Sequence, residues 1–258
     1  MIFLGQLFTR IKSFFSRNNI GNQEKKLEKI IIEKTKQIEK FFGFKINDPQ
    51  YFIKALTHRS YLEVIPQLKK SNERLEFLGD SVLSLVVSDH LFETFEDEEE
   101  GFLTKYRALM VDRDALAKAA TDMGLKNFIL YDTRFVNGSN AGIKTILADA
   151  LEAVIGAIYL DQGFQTAQKV INKWIIEPNT IDGNLPADKN FKGQLLEASH
   201  AKGMGSPIYK VMKEEGPEHD KKFTVEVIVD GKIYGTGEGK SKKSAEQSAA
   251  KSALQYFE

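Results

Sequence analysis

Glu73, Glu76 and Asp80 stand three and four residues apart, and Asp149 and Glu152 stand three apart. On a helix those spacings share one face, so each stretch predicts a helix with carboxylates along one side. The residues between them are almost all apolar: Leu75, Phe77, Leu78, Val82 and Leu83 in the first stretch, and Ile146, Leu147, Leu151, Val154 and Ile155 in the second. Both helices are therefore expected to be largely buried, where an uncompensated carboxylate is costly. Arg74 is the single cation across 72–83 and 146–156, against five acids. A hard divalent ion suits such a set better, because Mg²⁺ typically takes one or two carboxylates, retains waters and completes its shell with phosphate oxygens. Either acid pair alone reads as a solvated helix face. Two pairs inside apolar helices point instead to a metal site.

The residues also carry a family resemblance. Asn72-Glu73-Arg74-Leu75-Glu76-Phe77-Leu78-Gly79-Asp80-Ser81-Val82-Leu83 resembles the ribonuclease III signature, and Asp149-Ala150-Leu151-Glu152 resembles that family's second acidic element. A twelve-residue match with a second motif at suitable distance is far more specific than a lone short pattern. The resemblance implies Mg²⁺-dependent hydrolysis of phosphodiesters in double-stranded RNA, with Mn²⁺ able to substitute, leaving 5′-phosphate and 3′-hydroxyl ends. It implies Glu76, Asp80, Asp149 and Glu152 as metal ligands, with Asp80 and Glu152 catalytic, and Glu73 and Glu100 in an outer shell. It further implies a cytoplasmic homodimer in which Phe77 fits a pocket of the partner, and a role in processing ribosomal RNA precursors and other structured transcripts. Glu100-Gly101-Phe102-Leu103-Thr104 follows the family's Glu-Gly-acid-Leu-Thr pattern except at Phe102. Two rivals stay open on the residues alone: a fold relative that binds structured RNA without cutting it, and a helical enzyme of another metal-dependent phosphohydrolysis.

The elements that must position these acids are helical by pattern. A charged helical segment runs from about Gln23 to Lys40, further helical patterns cover Ala55 to Tyr61 and Ala115 to Leu130, and Gly138 to Gly142 reads as a loop entering the second acidic helix. His58, a lone histidine beside Arg59, is read as structural and left out of the site. Residues 1–22 form an amphipathic basic extension, with apolar residues at 3, 4, 7, 8, 11, 14 and 15. That segment is too short and interrupted for a membrane span and lacks the order of a signal peptide, so packing on the main domain is preferred over contact with a membrane surface.

With 258 residues, 42% of them hydrophobic, the chain can bury a sizeable core in one large or two ordinary domains. The absence of cysteine excludes disulfides, thiolate metal sites and thiol redox chemistry, and suits a reducing compartment. Zero net charge argues against holding nucleic acid by bulk charge, so patches must do that work. Acids concentrate at Glu96 to Glu100, and lysines at Lys240, Lys242 and Lys243.

Pro178, Pro186 and the turn formers between them mark a linker over 177–187, separating a helical domain at 23–176 from a second domain at 188–258. The second domain changes class: a helix over Phe191 to Lys202, a strand over Ile208 to Met212, an alternating strand over Phe223 to Val229, a hairpin at Asp230-Gly231, a third strand over Lys232 to Thr236 and a helix over Lys242 to Tyr256. The fold class is thus an all-α domain followed by a small α+β domain of order α-β-β-β-α. The end segment resembles the double-stranded RNA-binding domain, which implies Gln194, Glu197, His219, Lys240, Lys242 and Lys243 as RNA contacts. Gly193 and Leu196 depart from that pattern.

Overall fold

The structure is a computed structural model that describes residues 33, 35–64, 68, 70–136, 140–180, 185–217 and 220–257. The expected N-terminal amphipathic segment and His219 lie outside the described residues. The chain divides into two compact units, with the boundary between Pro186 and Ala187.

The first unit is helical. Helix α1 (Pro49–Ala55) begins where Asp48 accepts a 3.0 Å bond from the Gln50 amide and Pro49 supplies a preset φ at the first position. A 3₁₀ turn (Arg59–Leu62) leads to the long α2 (Glu73–Thr94), followed by α3 (Glu100–Met110), α4 (Arg113–Asp122), α5 (Asn140–Gln162) and α6 (Phe164–Ile171). In α2, Leu75, Gly79, Val82, Leu83, Val86, Val87 and Leu91 are buried, a stripe at helical spacing. The other side is open, with Phe77, Leu85 and Phe92 exposed, so the expectation of a largely buried first helix holds for one stripe only. Helix α5 is the central one, buried at Ile146, Leu147, Ala148, Ala150, Leu151 and on through Ile158.

The two acidic helices cross closely because their contact residues have no side chains. A Cβ placed on Gly79 would collide with the carbonyl of Glu152, and one placed on Gly156 would collide with the carbonyl of Leu75. Leu83 and Ile155 are wholly buried in the surrounding core, each contributing about 1.5–3 kcal/mol of burial.

Some sequence boundaries move. The pattern over 115–130 resolves into α4, ending at Asp122, and a separate 3₁₀ turn at Leu125–Asn127, because Gly124 between them adopts φ +68°. Leu130 then pairs with Thr57 in an isolated parallel bridge. Helix α5 starts at Asn140, so Asn140 to Gly142 belong to the helix and not to a loop. Glu177–Asn179 are still helical, directly after a π-helical turn at Asn172–Ile176.

The second unit runs α7 (Phe191–Ala201), β1 (Ile208–Glu215), β2 (Lys222–Val229), β3 (Lys232–Gly239) and α8 (Lys242–Leu254), with an antiparallel sheet in the order β1-β2-β3. Phe223, Val225, Val227 and Val229 alternate inward and are buried with Leu195 of α7. β1 and β3 outrun their expected ends because the outer face of the sheet tolerates charge, as in the 2.6 Å Lys222–Glu238 pair. Three glycines of β3 serve packing: Gly235, Gly237 and Gly239 leave room for α8, whose Ala245, Ala249 and Ala253 are fully buried.

Candidate metal centre

Glu76 of α2 and Asp149 and Glu152 of α5 each offer a carboxylate oxygen within 4.8 Å of the others. Asp80, one turn beyond Glu76, lines the same cleft of about 750 Å³, together with Glu73, Asn72, His58 and Phe135. The Gly79–Gly156 crossing sets this distance, because a wider helix separation would part the two acid pairs. The entry of α2 is fixed by buried Asn72, whose amide donates to Thr57 O at 2.9 Å and whose carbonyl accepts from Leu75 and Glu76.

Burial raises the pKa of all three clustered acids, and repulsion from neighbouring acids adds to the rise at Glu76 and Glu152. Glu152 is pushed up to about 8, first by burial, then by Asp80, Glu76 and Asp149. Glu76 is raised by burial and by Asp149, and Asp149 by burial. Arg113 opposes the rise at all three, and Arg59 opposes it at Asp149. Among the described residues, none of the three acids ion-pairs with a Lys or Arg. Hard oxygen donors crowded into a half-buried cleft without a direct cation fit a divalent ion, whose charge favours the ionised forms.

The remaining expected residues fall in different places. Glu73 sits at the cleft rim, accepting from Ser71 Oγ at 2.9 Å and lying 3.9 Å from Arg59. Glu100 does not line the cleft within one chain; it is exposed and accepts from Thr104 Oγ1 at 2.8 Å. Phe77 lines the cleft edge but is 78% exposed. Phe102, the departure from the family pattern, packs with Phe95 and Tyr106 at ring distances of 5.3 and 4.4 Å.

Sequence reasoning missed Arg113 and Phe135, and it read His58 as structural without placing it at the cleft. His58 caps the turn at Arg59 and lines the cleft; burial and Arg59 lower its pKa. Arg113 opens α4 just after the Asp112 cap, and its neighbour Asp114 pairs with Lys144 of α5 at 2.7 Å. The cap signal was readable; the direction in which Arg113 acts was not.

In the second unit, Lys240, Lys242 and Lys243 are exposed around the start of α8, which Ser241 caps through the amide of Ser244 at 3.1 Å. Lys240 meets Asp220 at 3.2 Å, and Lys242 lies over the Phe223 ring at 5.8 Å. Cations in a first helical turn oppose the helix dipole, so an anion bound there would relieve the conflict. Glu197 is exposed on α7, whereas the Gln194 amide donates to Asp188 O at 2.9 Å and is half-buried. Gly193 makes room for Asn190, whose side chain accepts from the Gly193 amide at 3.2 Å, and Leu196 is exposed.

Comparison with known proteins gives two family matches: Ribonuclease-III-like over residues 48–179, and double-stranded RNA binding motif over residues 191–257. Ribonuclease 3 of Treponema denticola is 40% identical over 221 residues, covering 85% of this chain and 89% of the relative. Ribonuclease 3 of Enterococcus faecalis is 42% identical over 221 residues, covering 85% and 96%. Among solved structures, the nuclease domain of ribonuclease III from Campylobacter jejuni is 42% identical, covering 57% of this chain and 97% of that one, with a TM-score of 0.49.

Proposed function

Because the chain belongs to the ribonuclease III family, a divalent-metal-dependent family, we propose that its carboxylate cleft hydrolyses phosphodiesters of double-stranded RNA with Mg²⁺. The chain is an endoribonuclease acting on double-stranded RNA. The observation that carries the reading is the convergence of Glu76, Asp149 and Glu152 within 4.8 Å, beside Asp80.

Glu76, Asp80, Asp149 and Glu152 hold the ion, and Mn²⁺ can replace Mg²⁺ because the donors are all hard oxygens. When bound, the ion lowers the pKa of a water and offsets charge on the phosphate and the leaving oxygen. The chain's own part is to orient. Asp80 and Glu152 face the reacting phosphate from the two helices, Arg113 balances the carboxylates, and Glu73 steadies the rim. Hydrolysis leaves 5′-phosphate and 3′-hydroxyl ends, and ribosomal RNA precursors and other structured transcripts are the natural substrates.

The reading extends to two chains. Phe77, Leu85 and Phe92 leave an exposed apolar stripe on α2, and a groove of about 660 Å³ lies nearby, lined by Tyr51, Lys54, Leu62, Arg74, Leu78 and Leu160. In a homodimer, Phe77 of each chain enters the groove of the other, and Glu100, outside its own chain's cleft, serves from the outer shell. Residues 188–258 grip duplex RNA through Lys240, Lys242, Lys243 and Glu197, with His219 as a further contact; the half-buried Gln194, bonded to Asp188 O, braces the start of α7. No helix among the described residues is long and apolar enough to cross a membrane, and we place the enzyme in the cytoplasm.

The test is incubation of the full chain with long duplex RNA, single-stranded RNA and duplex DNA, each with and without Mg²⁺, followed by end mapping. Cleavage confined to duplex RNA with metal, giving 5′-phosphate ends, is expected. Retention of duplex RNA without cleavage would favour the binding-only rival.

A further inference from the structure

Beside the carboxylate cleft lies a second one of about 620 Å³, lined by Arg59, Ser60, Glu63, Asp132, Arg134 and Phe135. Arg59 and Phe135 line both clefts and form the ridge between them. The ridge is built by a network linking two distant segments. Ser60 Oγ contacts His58 Nδ1 at 2.8 Å and accepts from the Asp132 amide at 3.0 Å, and the His58 and Phe135 rings lie 5.1 Å apart. His58 Nδ1 also accepts from the Ser60 amide at 3.2 Å, which makes it the unprotonated nitrogen of a neutral ring. His58 is thus scaffold for its neighbours.

The cations on this ridge differ in what they are free to do. Arg134 is committed to Asp132 through bonds of 2.9, 3.0 and 2.6 Å, so it braces the turn carrying Phe135. Arg59 stands at the limit of an ion pair with Glu73, 3.9 Å away, with 64% of its side chain exposed. Its guanidinium lies 5.9 Å from the centroid of Phe135, which is itself 52% exposed. An exposed aromatic beside an available guanidinium, at the outlet of an acidic cleft, matches a nucleic-acid backbone: one group for a phosphate oxygen, one apolar face for a sugar.

We propose that Arg59 and Phe135 form a subsite for the sugar–phosphate of the nucleotide adjoining the scissile bond, Arg59 binding a non-bridging phosphate oxygen and Phe135 packing on the ribose. This rests on the reading of the carboxylate cleft as the site of RNA hydrolysis. The contact is independent of base sequence, and it keeps the strand in line as it leaves a cleft whose own acids repel phosphate.

The test uses the full chain with Arg59→Gln, Arg59→Lys, Phe135→Ala and Phe135→Leu, the last keeping apolar bulk over His58. For Arg59→Gln, KM for duplex RNA should rise about tenfold, as for loss of one charge-assisted contact, with kcat within about threefold and an unchanged Mg²⁺ requirement. Arg59→Lys should recover most of the loss, and Phe135→Ala should raise KM more than Phe135→Leu. Unchanged KM in Arg59→Gln, or a shifted Mg²⁺ requirement with no KM change, overturns the subsite; the latter assigns Arg59 to balancing the acids. A parental chain that fails to cut overturns the hydrolytic reading itself, a result distinct from an active parent with indifferent variants.

Discussion

Gly79 rests against the carbonyl of Glu152, so that the backbone of one acidic helix occupies the space a side chain on the other would need. Glu76 and Asp80 flank this glycine by three residues and one, and Asp149 lies three residues before Glu152. The convergence of the carboxylates is therefore a consequence of a helix crossing. Gly79→Ala should force the helices apart, with a stability loss of about 1–3 kcal/mol, the usual range for overpacking. Cleavage should fall by orders of magnitude while duplex binding by the second unit persists. Trp174, the only tryptophan in the chain, reports melting of the first unit by fluorescence. A stable Gly79→Ala variant cutting at the parental rate would show that the crossing does not set the acid geometry.

Phe77 gives a second expectation. At 78% exposure it contributes little to a single chain's core, so Phe77→Ala should leave the monomer folded and act on assembly. A large aromatic at an interface centre commonly carries 2 kcal/mol or more, on the order of a 30-fold weaker dimer. Light scattering across a dilution series should show dissociation at higher concentration than for the parent. Unchanged dimer affinity would remove Phe77 from the contact.

The raised carboxylates set a pH dependence. Glu152 titrates near 4.5 when unfolded and at about 8 in the folded metal-free chain, so the folded state holds the extra proton between those values. The associated stability is fully present below the unfolded value and is lost as pH rises through about 8, and Glu76 and Asp149 move in the same direction. The metal-free protein should thus melt at a higher temperature at pH 6 than at pH 8.5. Mg²⁺ should narrow the gap, since the cation takes the place of the proton, and its affinity should rise over the same range. A gap that Mg²⁺ leaves untouched would trace the effect to other groups.

How much of this was legible in the chain depends on range. The acids at helical spacing, the alternating Phe223 to Val229 and the alanines of α8 are local patterns, and local patterns read out directly. The crossing at Gly79 and Gly156 was hidden, because a glycine within an apolar helix looks like a weak position until its neighbour is known. His58 looked structural and proves so, but the network through Ser60 to Asp132 joins segments 72 residues apart that no spacing connects. Glu100 was drawn into the site by its motif, yet a single chain does not bring it to the cleft. Phe77 was assigned to a partner by the resemblance alone, since its apolar neighbours gave no sign that its own face of α2 is open.

The last expectation separates holding RNA from cutting it. Glu152→Gln preserves size and hydrogen-bonding capacity but removes one negative charge from a half-buried site where burial and three acids press on it. As a metal ligand, its loss should lower Mg²⁺ affinity and reduce kcat by orders of magnitude; without metal the first unit should melt at about the parental temperature at pH 6, where Glu152 is protonated, and at a higher one at pH 8.5, where the parental carboxylate is ionised and repelled. Lys242→Ala combined with Lys243→Ala should do the opposite: weaken duplex binding, flatten its salt dependence by about one to two released counterions, and leave the Mg²⁺ requirement unchanged. The two lysines and the acid lie in separate units, so their effects should add in a triple variant. Gel shifts over a salt series, Mg²⁺ titrations of cleavage and Trp174 melts on the same preparations decide the matter. Glu152→Gln protein that melts lower and loses binding and cleavage together would make the residue a support of the fold, and one that cuts normally at low Mg²⁺ would falsify its place among the ligands.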